Sequence, residues 1–432
     1  MKELGFTIKD FTGLRLVEDA PLNSKGLTVC RNLIARPQGL VGVPSISTHI
    51  NTTVDYPFPQ LFLGHVHWIL CTRTKIYIVN GDWTLTLAFT VDAGSIWQFA
   101  DYYDYAILTN GIATVVYDTV AGEWTLSDGV KVPTLTAICD FNGQILGAQE
   151  NRLLWSAIGA ADFIIDQSNV KGSRPMPWFG EIYAILKLGD GFAVYGSNGI
   201  AFMRFSGVTP GIVSTLGYGL LSGGAVAGGE GGNVFIDTEG NFRMVGPDFK
   251  VSEPLYKEFF QPMVGREIVI TENPLRGDYY ITDGVKSYIK SDQGLTETFQ
   301  SITGLQMLGG VLYGVYSNLS IGGIELSSDV LDFGYRGRKA LREIEVGGHG
   351  SGSSTIEVGC DVRWDYNSGF IESDWVEINS EGWAALNISG VEFRIKARSS
   401  DYSNVKIDYI TARMQYEDRR GLRGTNANSV AA

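Results

Sequence analysis

Short apolar runs alternate with clusters of glycine, asparagine and aspartate along most of the chain. Leu61–Cys71 followed by Lys75–Asn80 makes one strand–turn–strand unit. Tyr105–Leu108, Asn110-Gly111 and Ala113–Tyr117 make a second, and Gln144–Ala148 with Arg152–Ser156, joined around Asn151, a third. Phe192–Tyr195 and Ile200–Phe205 flank Ser197-Asn198-Gly199, and Asn233–Asp237 and Phe242–Val245 flank Glu239-Gly240-Asn241. Tyr279–Thr282 and Lys286–Ile289 flank Asp283-Gly284, and a seventh candidate lies near Val311–Tyr316. Asn-Gly and Asp-Gly between apolar runs signal hairpins because these residues tolerate positive φ. The units recur about every 40–45 residues, the period of four-stranded propeller blades. The pattern predicts an all-β fold with a β-propeller of about six blades over residues 56–325. An irregular sandwich with hairpins of similar length is the competing reading.

The pattern changes near Leu326. Ile356, Val358, Cys360, Val362 and Trp364 alternate with polar residues, as do Phe393, Ile395 and Ala397, and again Ile410, Ala412, Met414 and Tyr416. Strict period two marks strands with one face buried and one in water. These strands predict a C-terminal β-sandwich domain over 326–418, with Gly347–Ser354 as a flexible loop and 419–432 as a peripheral arm. Residues 1–55 show little repeat character and are expected to form an extended segment packing on the propeller. Helix is scarce; Glu253–Phe260 is expected to form a short helix or a turn, with Pro254 suited to a first turn.

At 432 residues the chain is long enough for two or three domains. Its net charge of −13 argues against a dedicated nucleic-acid binder, which would show a basic face. A negative wall would instead repel phosphate and resist sticking. The four cysteines, Cys30, Cys71, Cys139 and Cys360, form no CxxC pair, so a disulfide framework is not expected and assembly in a reducing cytosol is. The N-terminal stretch has no signal-peptide core, and no apolar run reaches the roughly 20 residues of a membrane helix.

Catalytic signatures are missing. There is no GxxxxGK[ST] loop and no GxSxG elbow, and the run Gly223–Gly232 reads as a connection between blades. His65 and His67, two apart on an expected strand, would share a face and could join a zinc site, but no third ligand is in view; they read as polar neighbours of Trp68. Propeller glycosidases work with paired carboxylates. Asp101, Asp104, Asp162, Asp190 and Asp237 are candidates, but turn capping accounts for each more simply. Asp237-Thr-Glu-Gly-Asn241 faintly suggests calcium and equally suits a hairpin turn. Trp83, Trp97, Trp124, Trp155 and Trp178 recur with the units and are expected to pack between blades. Basic residues cluster late: Arg336, Arg338, Lys339 and Arg342, then Arg413, Arg419, Arg420 and Arg423. Each group is a candidate contact for an acidic subunit or for DNA, against the plainer reading of a solvated strand face.

Several segments carry a resemblance. Ala20–Gly26 followed by Cys30-Arg-Asn-Leu-Ile34, the blade Asn151–Phe163, the hairpin Asp190–Ile200, and the endings Phe393-Arg-Ile-Lys396 and Arg419–Gly424 are similar to virion β-propeller proteins of short-tailed bacteriophages. These are the DNA-stabilisation, tail-hub or nozzle proteins, and the resemblance spans most of the chain. It implies a homo-oligomeric ring, six copies in the family, below the portal and adaptor. Such a ring would extend the channel for double-stranded DNA, retain packaged genome and connect to tail fibres or a needle. It implies a location in the virion tail after assembly in the host cytoplasm, and no catalytic residue, metal, cofactor or membrane contact. A glycan-binding or glycan-cleaving propeller with a carbohydrate-binding sandwich is the alternative.

Overall fold

The computed structural model describes residues 4–15, 22–44, 46, 48–49, 56–65, 67–165, 170–318, 322–349, 355–401 and 405–417. The chain divides into two compact units. One comprises 46–287 with 300–319; the other comprises 1–45, 288–299 and 320–432.

The first unit is a β-propeller. Four antiparallel four-stranded sheets follow each other in sequence, each meandering outward from its first strand. Blade 1 runs from Gln60–Leu63 to Leu85–Thr90 and blade 2 from Gln98–Tyr102 to Glu123–Leu126. Blade 3 runs from Ala137–Phe141 to Gly172–Pro175 and blade 4 from Ile182–Leu188 to Thr209–Leu216. Blade 5 has three strands, starting at Val226–Gly229, and bridges from Phe242 to Leu255 and from Val245 to Val251 continue its edge. Blade 6 starts with the hairpin Val269–Asn273 and Asp278–Thr282. Blade 7 pairs Ser301–Leu308 with Val311–Asn318, and Thr48–His49 adds a parallel strand outside them.

Seven innermost strands therefore follow one another around a ring. The seam closes where Thr303 Oγ1 donates to the Pro59 carbonyl (2.5 Å) and Gln306 Nε2 donates to that of Leu61 (3.2 Å). The faint unit near Val311–Tyr316 is thus a real blade, which makes seven among the described residues where about six were expected. Asymmetry hid it: its outermost strand comes from the N-terminal side of the chain. Turn chemistry sets the hairpins. Asn142 and Gly143, both at positive φ (49° and 72°), join Phe141 to Gln144 in a two-residue loop whose twist matches its strands. Apolar residues fill the space between blades; Trp97, Leu108 and Val115 pack with Ile69, Cys71 and Ile76 of the neighbouring blade. Lys257–Phe260 forms a single helical turn that buries Phe260.

The second unit contains two sheets. In one, Leu33–Arg36, Gly39–Gly42, Lys406–Tyr416, Lys339–His349 and Trp383–Gly390 lie in that order, and Leu4–Ile8 also pairs with Lys406–Tyr416. In the other, Leu295–Thr298, Leu27–Arg31, Ile324–Ser328, Glu392–Ser399 and Ile356–Arg363 are adjacent. The period-two residues fill the interior: Val358, Cys360, Phe393, Ile395 and Ala397 are all inaccessible. Trp364 breaks the pattern at 43% exposure.

The N-terminal segment departs from expectation. Of the segment 1–55, the strands Leu4–Ile8, Leu27–Arg31, Leu33–Arg36 and Gly39–Gly42 belong to the two sheets of the second unit, while Thr48–His49 joins the propeller. The reason is apolar content: Leu27, Cys30, Leu33, Ile34, Ala35 and Leu40 are core residues. Gly347–His349, expected in a loop, end the strand Lys339–His349, and 350–354 lie outside the described residues.

Candidate functional site

The innermost strands of the propeller wall a cavity of about 350 Å³ on its axis. All seven blades contribute to it. Because each blade starts with its inner strand, these strands run the same way along the axis, and equivalent positions form layers. Phe62 and Phe99 stack at 5.2 Å in one such layer. Main-chain partners engage the glutamines: Gln60 Oε1 accepts from Trp97 N (2.7 Å), and Gln98 Nε2 donates to the Tyr183 carbonyl (2.5 Å).

The cavity's charged pair joins adjacent blades. Lys187 Nζ donates to Asp140 Oδ2 at 2.7 Å. Burial opposes the charge on Lys187, but the hydrogen bond and charge of Asp140 hold its ammonium above the ordinary lysine value. Near the ends of the same strands, His65 Nδ1 sits 2.6 Å from Asp101 Oδ2, and that hydrogen bond raises the imidazole.

The candidate carboxylates are not paired with one another. Asp101 meets His65, Asp162 meets Lys171 (2.9 Å) and Asp190 meets Arg204 (2.6 Å). Asp104 lies in a turn, where its main-chain carbonyl accepts from Thr119 N (2.8 Å). Asp237, 1% exposed, accepts from Asn241 N, Asn241 Nδ2, Glu239 N and Arg243 Nε, all within 3.1 Å. The turn Asp237–Asn241 is therefore closed by its own donors and an arginine, and leaves no open carboxylate for calcium. His65 and His67 belong to a turn rather than a strand, and they diverge: His67 Nε2 contacts Tyr117 Oη (3.2 Å). Among the described residues, no three His, Cys, Asp or Glu side chains converge. All four cysteines are buried free thiols; burial pushes Cys30, Cys139 and Cys360 up to about 12.

The basic candidates separate. Lys339 is fully buried, and its ammonium donates to the carbonyls of Tyr335 (2.6 Å), Gly337 (3.1 Å) and Val391 (2.5 Å). It cannot touch DNA or a partner, because strand alternation turns position 339 inward. Arg338 pairs with Glu417 (3.3 Å) and lies over Trp364. Arg342 donates to Gln415 and Asn387. Arg413 reaches Glu343 (3.4 Å) and stacks on Trp383. Arg336 is exposed, and Arg419, Arg420 and Arg423 lie outside the described residues.

A row of alternating charge was not foreseen. Glu297, Arg31, Glu325, Arg398 and Glu357 occupy facing positions on five adjacent strands of the second unit. Arg31 contacts Glu297 (2.9 Å) and Glu325 (2.8 Å), and Arg398 contacts Glu357 (2.7 Å). Register alone assembles it, from residues up to 367 positions apart between Arg31 and Arg398, so no local motif announced it.

No family model matches the chain, and no curated protein matches it. Solved structures similar to it include a chain of the mitotic checkpoint complex (12% identity, TM-score 0.40, 63% of this chain and 87% of that one). The Pan2 WD40 domain of Neurospora crassa is similar at 9% identity and TM-score 0.41, covering 63% and 86%. PorZ, a bacterial surface component of the type-IX secretion system of Porphyromonas gingivalis, is similar at 12% and 0.39, covering 64% and 36%.

Proposed function

We propose that this chain is a structural, non-enzymatic subunit of a bacteriophage tail, a hub or nozzle protein. Copies form a ring that extends the DNA channel, helps to retain packaged genome and joins the adaptor and portal to distal tail parts. The observation that carries this reading is the path of the chain. It crosses between the two units four times, at 45/46, 287/288, 299/300 and 319/320. A pull on either unit is shared by four covalent connections rather than one flexible linker. This suits a part that bears load and not one that opens and closes around a substrate.

Charge supports the reading. The propeller unit holds 14 Lys and Arg against 24 Asp and Glu. Asp104, Glu230 and Glu272 fall where its innermost strands end or turn, and Asp101, Asp140 and Asp190 near them are paired with His65, Lys187 and Arg204. A unit of net negative charge repels phosphate and resists sticking to DNA.

Electron cryo-microscopy of virions carrying the chain, alongside particles from which its gene is deleted, tests the proposal. A ring below the portal, and deletion particles that package and then lose DNA, are the expected results. Virions that lack the chain yet keep their genome would overturn it.

A further inference from the structure

The cavity on the propeller axis has a floor, an apolar wall and one polar pair with bonding capacity to spare. Its floor lies where the innermost strands begin. There Gln98 of blade 2 accepts from Ile138 N of blade 3 (3.2 Å) and donates to the Tyr183 carbonyl of blade 4 (2.5 Å), so its side chain lies across the inner face of blade 3. Gln60 accepts from Trp97 N, and Thr303 and Gln306 donate to the carbonyls of Pro59 and Leu61. Most polar side chains of the lining are thus turned to the backbone. The wall between them is apolar, with Phe62, Phe99, Leu186, Ile270 and Leu305. Phe62 and Phe99 are only partly buried, and their rings stack at 5.2 Å. Blade 5 presents Gly228 and Gly229 to the cavity where blade 4 presents Leu186 and Lys187, which leaves the space open on that side.

Thr271 and the pair Asp140–Lys187 are what remains polar. Lys187 and Asp140 stand toward the far ends of their strands, each side chain about a third exposed. An ammonium carries three N–H groups, and one from Lys187 goes to Asp140 Oδ2 at 2.7 Å. Among the described residues nothing takes the other two, and Asp140 Oδ1 accepts from none. The pair therefore offers the cavity a donor beside an acceptor. A carboxylate would satisfy Lys187 and meet the like charge of Asp140; an amine would do the reverse. A carboxamide edge gives C=O to Lys187 and N–H to Asp140, and brings no charge into an apolar space.

We infer that this cavity binds a small flat ring bearing an amide edge, the class that includes aromatic carboxamides and nucleobases. The ring lies against the apolar wall beside Phe62 and Phe99, and the amide bridges Lys187 and Asp140. At about 350 Å³ the cavity is at the small end of ligand sites, of a size for one such molecule and not for a polymer. The inference concerns a single propeller and holds whether or not copies assemble into a ring.

Titration of purified full-length protein with benzamide, benzoate and benzylammonium, followed by calorimetry or ligand NMR, tests this. The three share a ring and differ in its edge. Benzamide is expected to bind saturably, one per chain, and at least about tenfold more tightly than either ion, the scale of one hydrogen bond to a charged group. Asp140→Leu/Lys187→Met removes both charges at similar volume, an exchange that folds commonly tolerate, and circular dichroism checks it. It is expected to weaken benzamide at least about tenfold. Phe99→Leu keeps the wall apolar without its ring, carries the test if the double variant does not fold, and is expected to weaken benzamide about threefold or more. Benzamide that does not saturate by about 20 mM, where even an inefficient ligand of its size would show, overturns the inference. So does equal binding of the three compounds, or benzamide binding that the folded variants leave unchanged. The virion micrographs decide the tail reading separately.

Discussion

Lys339 is an ammonium inside a sandwich, with three main-chain carbonyls in place of water. Removing it leaves those carbonyls buried without a donor. Lys339→Met is therefore expected to cost about 3 kcal/mol, read from chemical denaturation. Burial drives the lysine from 10.5 down to about 8, with Asp332 and Glu392 pulling the other way. Between those two values the unfolded chain binds the proton and the folded chain releases it, so stability rises with pH across that window. The gain is complete above 10.5 and lost below 8. Wild type should gain up to about 3 kcal/mol over this range relative to Lys339→Met, in which the rise is absent. Asp237 makes a second case. Its carboxylate answers four donors, and Asp237→Ala is expected to lower stability by about 3 kcal/mol or more, because Arg243 would remain half-buried without its partner. Added calcium should leave the melting temperature of the wild type unchanged, since that carboxylate is already engaged.

Elements were legible where the local code is strong. Hairpins announced by Asn110-Gly111, Asp283-Gly284 and Glu239-Gly240-Asn241 are hairpins, because a positive-φ turn needs no help from distant residues. The alternation around Cys360 and Ile395 marked buried faces for the same reason. What failed was assembly over distance. Nothing near Leu27 says that it will face Ser328, or that Thr48 will complete a blade whose other strands begin at Ser301. The candidate site suffered likewise: Asp140 and Lys187 meet only because successive blades align their inner strands. Ring closure can be probed at Gly304, where a Cβ would come 2.8 Å from the main-chain nitrogen of Leu61. Gly304→Ala must push blade 7 away from blade 1, and a loss of about 2 kcal/mol is expected by thermal or chemical unfolding.

At the scale of the whole molecule, the sandwich read from the sequence is not a unit that stands alone. A fragment of residues 326–418 lacks the strands Leu27–Arg31, Leu33–Arg36 and Leu295–Thr298, and with them part of each sheet. It is expected to give the poorly dispersed amide spectrum of an unfolded chain, whereas the full-length protein gives sharp, dispersed signals. The pairing of Leu4–Ile8 with Lys406–Tyr416 has a consequence in time. Strand formation there must wait until some 400 further residues have left the ribosome, roughly half a minute at ordinary rates of synthesis. Throughout that interval the earliest segment is an orphan strand, open to any neighbouring nascent chain with an unsatisfied edge. Many copies made at once from one message would be the most dangerous neighbours, so chaperones that shield this strand become silent participants in folding the chain.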